Sequence, residues 1–416
     1  MICVIGAGVT GLFFAKAFGE AKVFEASDAP GGKACSQTVE TDAGTFIFDT
    51  GGHWFHQQNA PGVLGLLDGL ALIKHQRKAH VLMNSSLYDF PIQTSYVNIP
   101  DKPFVEAVKR ELAAIEGRGN TSRTYRELLL NSYGETLYNS FFRDYNLKMF
   151  GVSDLSDIAL GQYEAVRNVP VNNCKGYNNE FLYPDGNGGA RAIPLHLSKG
   201  LDIRFNTAVQ SISLQDNTLL AGHQTLKWSK IISTIPLPLL AKSISDLDPA
   251  LLELSGQLKS CKGFILNVGI KKTERYQDID WIYNADMDYH FYRMGYYSNV
   301  QPALAPAGYS AMYVECSPLF FSSREEAYAL IPVILEELTE LGFIGDKEDI
   351  ITLNPVYLEH NYCMPNPLVT SALCGHLNKH GIYSIGRYGA WHWSSQHEDM
   401  QQALDLARQI SGDGGH

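Results

Sequence analysis

The chain lacks the features that most quickly place a protein. No apolar run in its 416 residues approaches the ~18 consecutive residues a membrane-spanning helix needs. Its seven cysteines (3, 35, 174, 261, 316, 363 and 374) are odd in number, scattered and never in a C-x-x-C pair. That pattern excludes a disulfide frame or a zinc site and points to reduced cytosolic thiols. There is no basic surplus either: 33 Lys and Arg stand against 44 Asp and Glu, a net charge of −11, which argues against a nucleic-acid surface. An anionic ligand would therefore need a local group of cations. Internal repeats, low-complexity linkers, metal-ligand spacings and a Ser/His/Asp arrangement are also missing from the pattern. Met1 runs directly into an apolar stretch, so no signal peptide and a cytoplasmic location are expected.

What is present is typical of a soluble globular enzyme, with 45% hydrophobic and 19% charged residues, and the length predicts two or three domains. The first stretch is the most informative. Ile2-Cys3-Val4-Ile5 is a short, β-branched run suited to a buried parallel strand, and Gly6, Gly8 and Gly11 follow at G-x-G-x-x-G spacing before helix-forming residues 12–18. Residues 21–24 form a second apolar run, ending at Glu25, nineteen residues beyond Gly6. Glycines alone are weak evidence. Strand, glycines, helix, strand and acid in this order predict a dinucleotide site, in which the acid accepts hydrogen bonds from a ribose.

Three further stretches bear on which dinucleotide it is. Pro30-Gly31-Gly32-Lys33 puts two permissive residues and a cation just past Glu25, as a loop approaching a diphosphate would; the plain alternative is a surface turn. An apolar strand at 46–48 precedes Gly51, Gly52 and His53, and that histidine could equally be a packed core residue. At the far end, GIYSIGRYGAWHW precedes HEDMQQALDLARQI, a helix with acids at its start whose free N–H groups could point at an electron-rich ring edge. No second dinucleotide fingerprint is expected, because DGNGGA (185–190) follows no suitable strand in the pattern.

Together these stretches resemble FAD-binding proteins of the glutathione-reductase-like superfamily, and within it the UDP-galactopyranose mutases, particularly their eukaryotic-type branch. Seven blocks occur in that family's order: DTGGHWFH, YDFPIQTSYVNIP, FFRDYNLKMFG, FLYPDGNGGA, FYRMGYYSNV, YCMPNPLV and GRYGAWHW. The resemblance implies an α/β fold with a Rossmann-like FAD-binding domain, an inserted helical subdomain and an antiparallel β-sheet domain. It places FAD against Gly6, Gly8, Val9, Thr10, Gly11, Glu25, Ala26, Gly32, Lys33, Gly51, Gly52, His53, Val209, Gly386, Arg387, Asp399 and Met400. It makes Arg293 and Arg167 the arginines of the substrate diphosphate and, with His53, the catalytic residues. A guanidinium suits that task as a planar, permanently charged fork; for each arginine the plain alternative is an ion pair. Phe141, Asn146 and Phe150 fall at the uracil pocket, although both rings would also suit a helix core, and Gln93 and Tyr362 match sugar or phosphate contacts. Two positions depart from the family: Phe150 stands where it has a tryptophan, and Trp393 where it has a diphosphate-contacting tyrosine. An indole N–H donates but cannot accept, so the nucleotide or sugar is open to differ from UDP-galactose.

The middle of the chain divides by pattern. Residues 101–145 have periodic apolar positions and read as helical, while 255–360 show short apolar and aromatic runs that read as an antiparallel sheet with one covered face. The expected layout is an FAD-binding domain from 1–75, 176–240 and 376–416, a helical substrate subdomain at 101–175, and a sheet domain from 76–100 and 241–375. The resemblance implies a flavin-dependent nucleotide-sugar pyranose/furanose mutase of polysaccharide biosynthesis: N5 of reduced FAD attacks the anomeric carbon of a UDP- or dTDP-hexose while arginines hold the departing diphosphate. The flavin would be reduced by NAD(P)H or another reductant docking transiently. The rival reading is an FAD-dependent oxidoreductase of the amine oxidase or protoporphyrinogen oxidase type, which shares every flavin feature but has no need of Arg293 and Arg167. A flavin-binding protein without turnover is a third class. Neither sugar nor oligomeric state follows from the sequence.

Overall fold

The computed structural model describes residues 1–56, 62–117, 122–160, 179–273 and 275–412. Arg167 and Cys174 lie outside these.

The opening strand Ile2–Ile5 sits at the centre of a five-stranded parallel sheet, ordered 382–384, 230–233, 2–5, 21–24, 202–204. Alternation along this strand sends its side chains to two cores. Val4 joins Leu12, Phe13, Phe14, Met400 and Ala403 beneath the helices Val9–Phe18 and Gln396–Gly412. Cys3 and Ile5 join Leu237, Leu240, Leu373 and Leu377 of the helices Leu237–Ser243 and Pro367–Lys379. A strand covered on both faces has no place for polar side chains, which is why it is an uninterrupted apolar run. The segment 209–227 does not return to this sheet. It forms a separate three-stranded antiparallel sheet over the second core.

The second sheet has seven strands, ordered 350–358, 263–271, 309–316, 291–296, 281–284, 79–83, 86–89. It is mixed rather than wholly antiparallel, because Trp281–Asn284 pairs in parallel with Ala79–Met83, which arrives from a distant part of the chain. One face carries Leu266, Val268, Met312 and Val314 into a core under Arg324–Ala329 and Ile331–Glu340. The other face, with Ile265, Ala311 and Tyr313, meets Phe46 and Phe48 of the hairpin Ser36–Thr41/Gly44–Asp49.

Helices Lys102–Ile115, Tyr125–Leu137 and Arg143–Phe150 pack around Leu128, Leu129, Leu137, Phe141 and Phe150. The first is capped by Asp101, and the second by a Thr124/Glu127 capping box. A π-helical turn at Tyr138–Phe142 joins the second to the third. Among the described residues no helix is long and apolar enough to cross a membrane.

The turn DGNGGA follows no strand of a parallel sheet, in keeping with its pattern. A strand, Glu180–Pro184, does precede it, and a helix, Ala192–Ser198, follows. That strand pairs antiparallel with Leu72–Gln76 instead of entering a parallel sheet, so the glycines serve a different purpose. Gly189, at φ +62°, brings the turn down onto the buried Asp49. The Asp49 carboxylate accepts from Ser36 Oγ (2.6 Å), Tyr183 OH (2.5 Å) and Ala190 N–H (3.0 Å).

Asp49→Ala would leave these three donors without their acceptor, at roughly 1–3 kcal/mol for each buried donor left unpaired. We expect a two-state stability loss of about 3 kcal/mol or more in denaturant melts. Asp49→Asn, which keeps the shape and one accepting oxygen, should lose clearly less.

Candidate functional site

At the carboxyl ends of the first two parallel strands, glycines set the spacing. Gly6 has φ +101°, and a Cβ on Gly11 would lie 2.1 Å from the Gly6 carbonyl oxygen, so the helix can approach the strand only with glycine there. Gly8 precedes the helix and offers no side chain to cap it, and the first turn holds no acid. Val9 and Thr10 open that helix. The loop with Gly32 folds back over this turn: Gly31 N–H donates to the Ala7 carbonyl at 2.9 Å, and a Cβ on Gly32 would be 3.2 Å from Gly8 Cα. Glu25 Oε2 accepts from Ala7 N–H (2.6 Å), and Oε1 from Ser27 N–H and Oγ (2.9 and 2.7 Å). A carboxylate offers about four lone-pair sites, so with three in use Glu25 keeps about one for a ribose hydroxyl. Ala26 is exposed beside it, and Thr207 N–H binds the Glu25 carbonyl just ahead of Val209. Gly386, at φ +78°, packs against Thr10, and Met400 is buried against the same helix. The arrangement fits a dinucleotide diphosphate: an uncapped helix start, backbone cleared of Cβ atoms, and an acid at ribose distance along the fold.

A second group of residues converges beyond this cradle. His53 Nε2 lies 3.0 Å from the Thr50 carbonyl; since a carbonyl only accepts, Nε2 holds the proton. Burial pushes the His53 pKa down to about 4, and the charges of Arg387, Lys33 and Arg293 push the same way. Lys33 donates to the His360 carbonyl and lies 4.4 Å from the Tyr388 ring centroid. Burial, then Arg387, lowers its pKa to about 7. Arg387 donates through Nε to the Ser394 carbonyl (2.9 Å), and Ser394 Oγ donates to Asp399, whose pKa burial raises to about 6.

Arg293 is held bidentately by Glu315, with Nε–Oε1 at 3.0 Å and Nη2 to the two oxygens at 2.6 and 2.7 Å. Glu315 also accepts from Tyr292 OH (2.7 Å), although Tyr292 and Arg293 are sequence neighbours on a strand and should face opposite ways. A β-bulge resolves this. Phe291 pairs with Cys316 and Arg293 with Glu315, leaving Tyr292 without an opposite residue, and the local kink brings both side chains to one carboxylate. Tyr362 OH lies 3.4 Å from Arg293 Nη2.

From Tyr362 a third group extends. Its ring meets Phe150 edge-on at 5.8 Å, Phe150 stacks on Trp393 at 5.2 Å, and Tyr125 stands edge-on to both. Asn146 Oδ1 accepts from Tyr125 OH (3.1 Å) and its Nδ2 donates to the Phe142 carbonyl (2.6 Å). Phe141 lies in the helical core, stacked on Tyr145. Gln93, on the short helix Ile92–Ser95, is buried with an Oε1 that has no partner among the described residues.

The structure thus gathers His53, Lys33, Arg293, Arg387 and Tyr362, while Arg167 falls outside the described residues. It adds Glu315, Tyr292, Tyr313 and Tyr388. Glu315 had a legible signal, being the one acid in the apolar strand Tyr309–Cys316. The bulge that joins it to Tyr292 had none.

The model of the flavin-containing amine oxidoreductase family matches residues 16–260, more than half of the chain. No curated protein sequence matches. Among solved structures, a reduced UDP-galactopyranose mutase superposes with a TM-score of 0.86 at 20% identity, covering 100% of this chain and 96% of that one. A putative protoporphyrinogen oxidase from Exiguobacterium sp. 255-15 gives 0.75 at 14% identity, covering 99% and 98%. Cyclohexylamine oxidase from Brevibacterium oxydans IH-35A gives 0.73 at 14%, covering 100% and 99%.

Two outcomes follow from this geometry. His53 binds its proton near pH 6.5 when unfolded but near 4 when folded, so its contribution to stability is complete above 6.5 and lost as pH falls from 6.5 towards 4. Its ring resonances should show no titration between pH 8 and 5 by NMR. Removing one member of the buried Arg293–Glu315 pair strands the other charge, so Arg293→Ala should cost about 3 kcal/mol, and Arg293→Met with Glu315→Gln should recover most of it in the same melts.

Proposed function

The chain belongs to the flavin-containing amine oxidoreductase family, and on that premise we propose that it is an FAD-dependent nucleotide-sugar pyranose/furanose mutase acting on a UDP- or dTDP-hexose. The observation that supports this reading is the charge of the pocket. Burial is the main cause of the low His53 pKa, and the charges of Arg387, Lys33 and Arg293 add to it, so these cations converge on that point. Among the described residues only Arg293 of the three has a close carboxylate partner, and Asp399, near Arg387, is itself shifted towards its neutral form. In a chain of net charge −11 such a local surplus calls for an anion. A diphosphate suits it, since a guanidinium aimed at the leaving group stabilises the negative charge that develops as the anomeric bond breaks.

FAD would be held by Gly6, Gly8, Gly11, Gly32 and Glu25 at its nucleotide end and by Gly51, Gly52, His53 and Gly386 towards its ring. When reduced, it supplies a nucleophilic nitrogen for attack at the sugar carbon. The protein's own part is positional. Glu315 and Tyr292 fix the plane of Arg293, and the neutral His53, with its Nε2 proton on Thr50, leaves Nδ1 as an acceptor near the ring site. The resemblance assigns Arg167 a second diphosphate contact. NAD(P)H or another reductant would reduce the flavin.

The second reading is an oxidase. Its support is the group of Tyr145, Tyr292, Tyr313 and Tyr362 around Arg293, beside which an uncharged amine could enter. An ammonium ion would meet the charge of Arg387 and of Lys33 in its protonated form.

The test is chromatography of UDP- and dTDP-hexopyranoses incubated with the holoenzyme, oxidised and then reduced under nitrogen. A furanose product from the reduced enzyme alone is expected, with Arg293→Lys lowering kcat/KM by about a hundredfold. No product in either state, with an amine or another reductant bleaching the flavin, would replace this reading with the oxidase.

A further inference from the structure

We propose that Trp393 closes the base slot beside Phe150, so that the protein selects its substrate by diphosphate and sugar and is indifferent to the nucleobase. The proposal deepens the mutase reading and rests on it. Its basis is the path that leads from Arg293. A diphosphate on Arg293 would bring its nucleoside past Tyr362, whose hydroxyl is 3.4 Å from Nη2, to Phe150, whose ring meets that of Tyr362 edge-on at 5.8 Å. The face of Phe150 is already covered. Trp393 stacks on it with centroids 5.2 Å apart and planes 23° from parallel. A base inserted between two rings needs them about 7 Å apart, twice the ordinary contact distance between carbon atoms.

The indole is fixed in that place. Trp393 Nε1 donates to the Cys363 carbonyl at 2.8 Å, and Tyr125 stands edge-on against its ring at 5.0 Å. Cys363 is fully buried and its thiol lies 3.3 Å from the His392 carbonyl, so the acceptor for the indole belongs to a packed segment. The polar group that would read a base edge is committed in the same way. Asn146 is 3% exposed, with its amide oxygen on Tyr125 OH and its nitrogen on the Phe142 carbonyl. Turning that amide towards a base would break both of these bonds, a loss comparable to the hydrogen bonds gained. Stacking and edge recognition are thus both used internally, and the box serves to fasten the helical subdomain to the segment between Arg387 and Ser394.

The test is calorimetric titration of the reduced holoenzyme with UDP, ADP and inorganic pyrophosphate. The expected result is three dissociation constants within about threefold of one another. In Trp393→Ala the slot opens, and UDP should gain roughly tenfold over pyrophosphate, the contribution of one stacked base. Trp393→Tyr, which keeps an aromatic ring of smaller area, is the second variant, with retained flavin colour and an unchanged thermal midpoint confirming its fold; a gain of UDP over pyrophosphate, smaller than in Trp393→Ala, is expected. UDP binding to the unaltered protein tenfold or more tightly than ADP would overturn the proposal and leave the mutase reading intact. Binding of none of the three would overturn both.

Discussion

One buried carboxylate joins the hairpin, the two-stranded sheet and the glycine turn that lie against the seven-stranded sheet. Asp49 is almost fully buried and accepts three hydrogen bonds from three separate segments: the hairpin at Ser36, the strand at Tyr183 and the glycine turn at Ala190. Burial raises its pKa, and the donors from Ser36, Tyr183 and Ala190 work against that rise. Its own backbone carbonyl accepts from Tyr297 OH, and Asn267 Nδ2 reaches the same oxygen, which carries the connection into the seven-stranded sheet. The next residues along the chain are Thr50, Gly51, Gly52 and His53. Their position relative to Arg293 and Glu315 is therefore inherited from Asp49: a Cβ on Gly51 would come within 3.0 Å of Glu315 Oε1.

Around that anchor the charges are arranged unevenly. Glu315 neutralises Arg293 at close range, and a buried pair of this kind is a stronger statement about geometry than about stability, because desolvation offsets much of its attraction. What remains is the charge of Lys33 and Arg387, held in place by carbonyl oxygens and ring faces, acceptors with no formal charge. The low pKa of His53 comes first from burial, and these charges add to it. A site built this way keeps its histidine neutral throughout the physiological range.

The flavin half of this picture is legible in residue spacing. Gly6, Gly8, Gly11 and Glu25 are local devices: each glycine answers a backbone clash within a few residues or across one turn, so their intervals along the chain reveal them. The antiparallel character of the second sheet is legible in its short aromatic runs, but its one parallel pair is not, since nothing in either segment marks a partner two hundred residues away. The strand leading into DGNGGA escapes a reading by pattern because its five residues sit in a two-stranded sheet, where pairing rather than propensity makes the strand.

The candidate site divides along the same line. By itself the sequence determined that a nucleotide-binding strand–turn–helix opens the chain and that Arg293 stands among aromatics, both properties of residue type and near spacing, while the departure at Trp393 came from the family resemblance. Only the tertiary structure decided what those residues face. The bulge at Tyr292 turns two neighbours towards Glu315, and the stacking of Trp393 on Phe150 joins positions more than two hundred residues apart. Such contacts depend on register and on the packing of separate cores, and a shift of one residue in either would reverse which side chains meet.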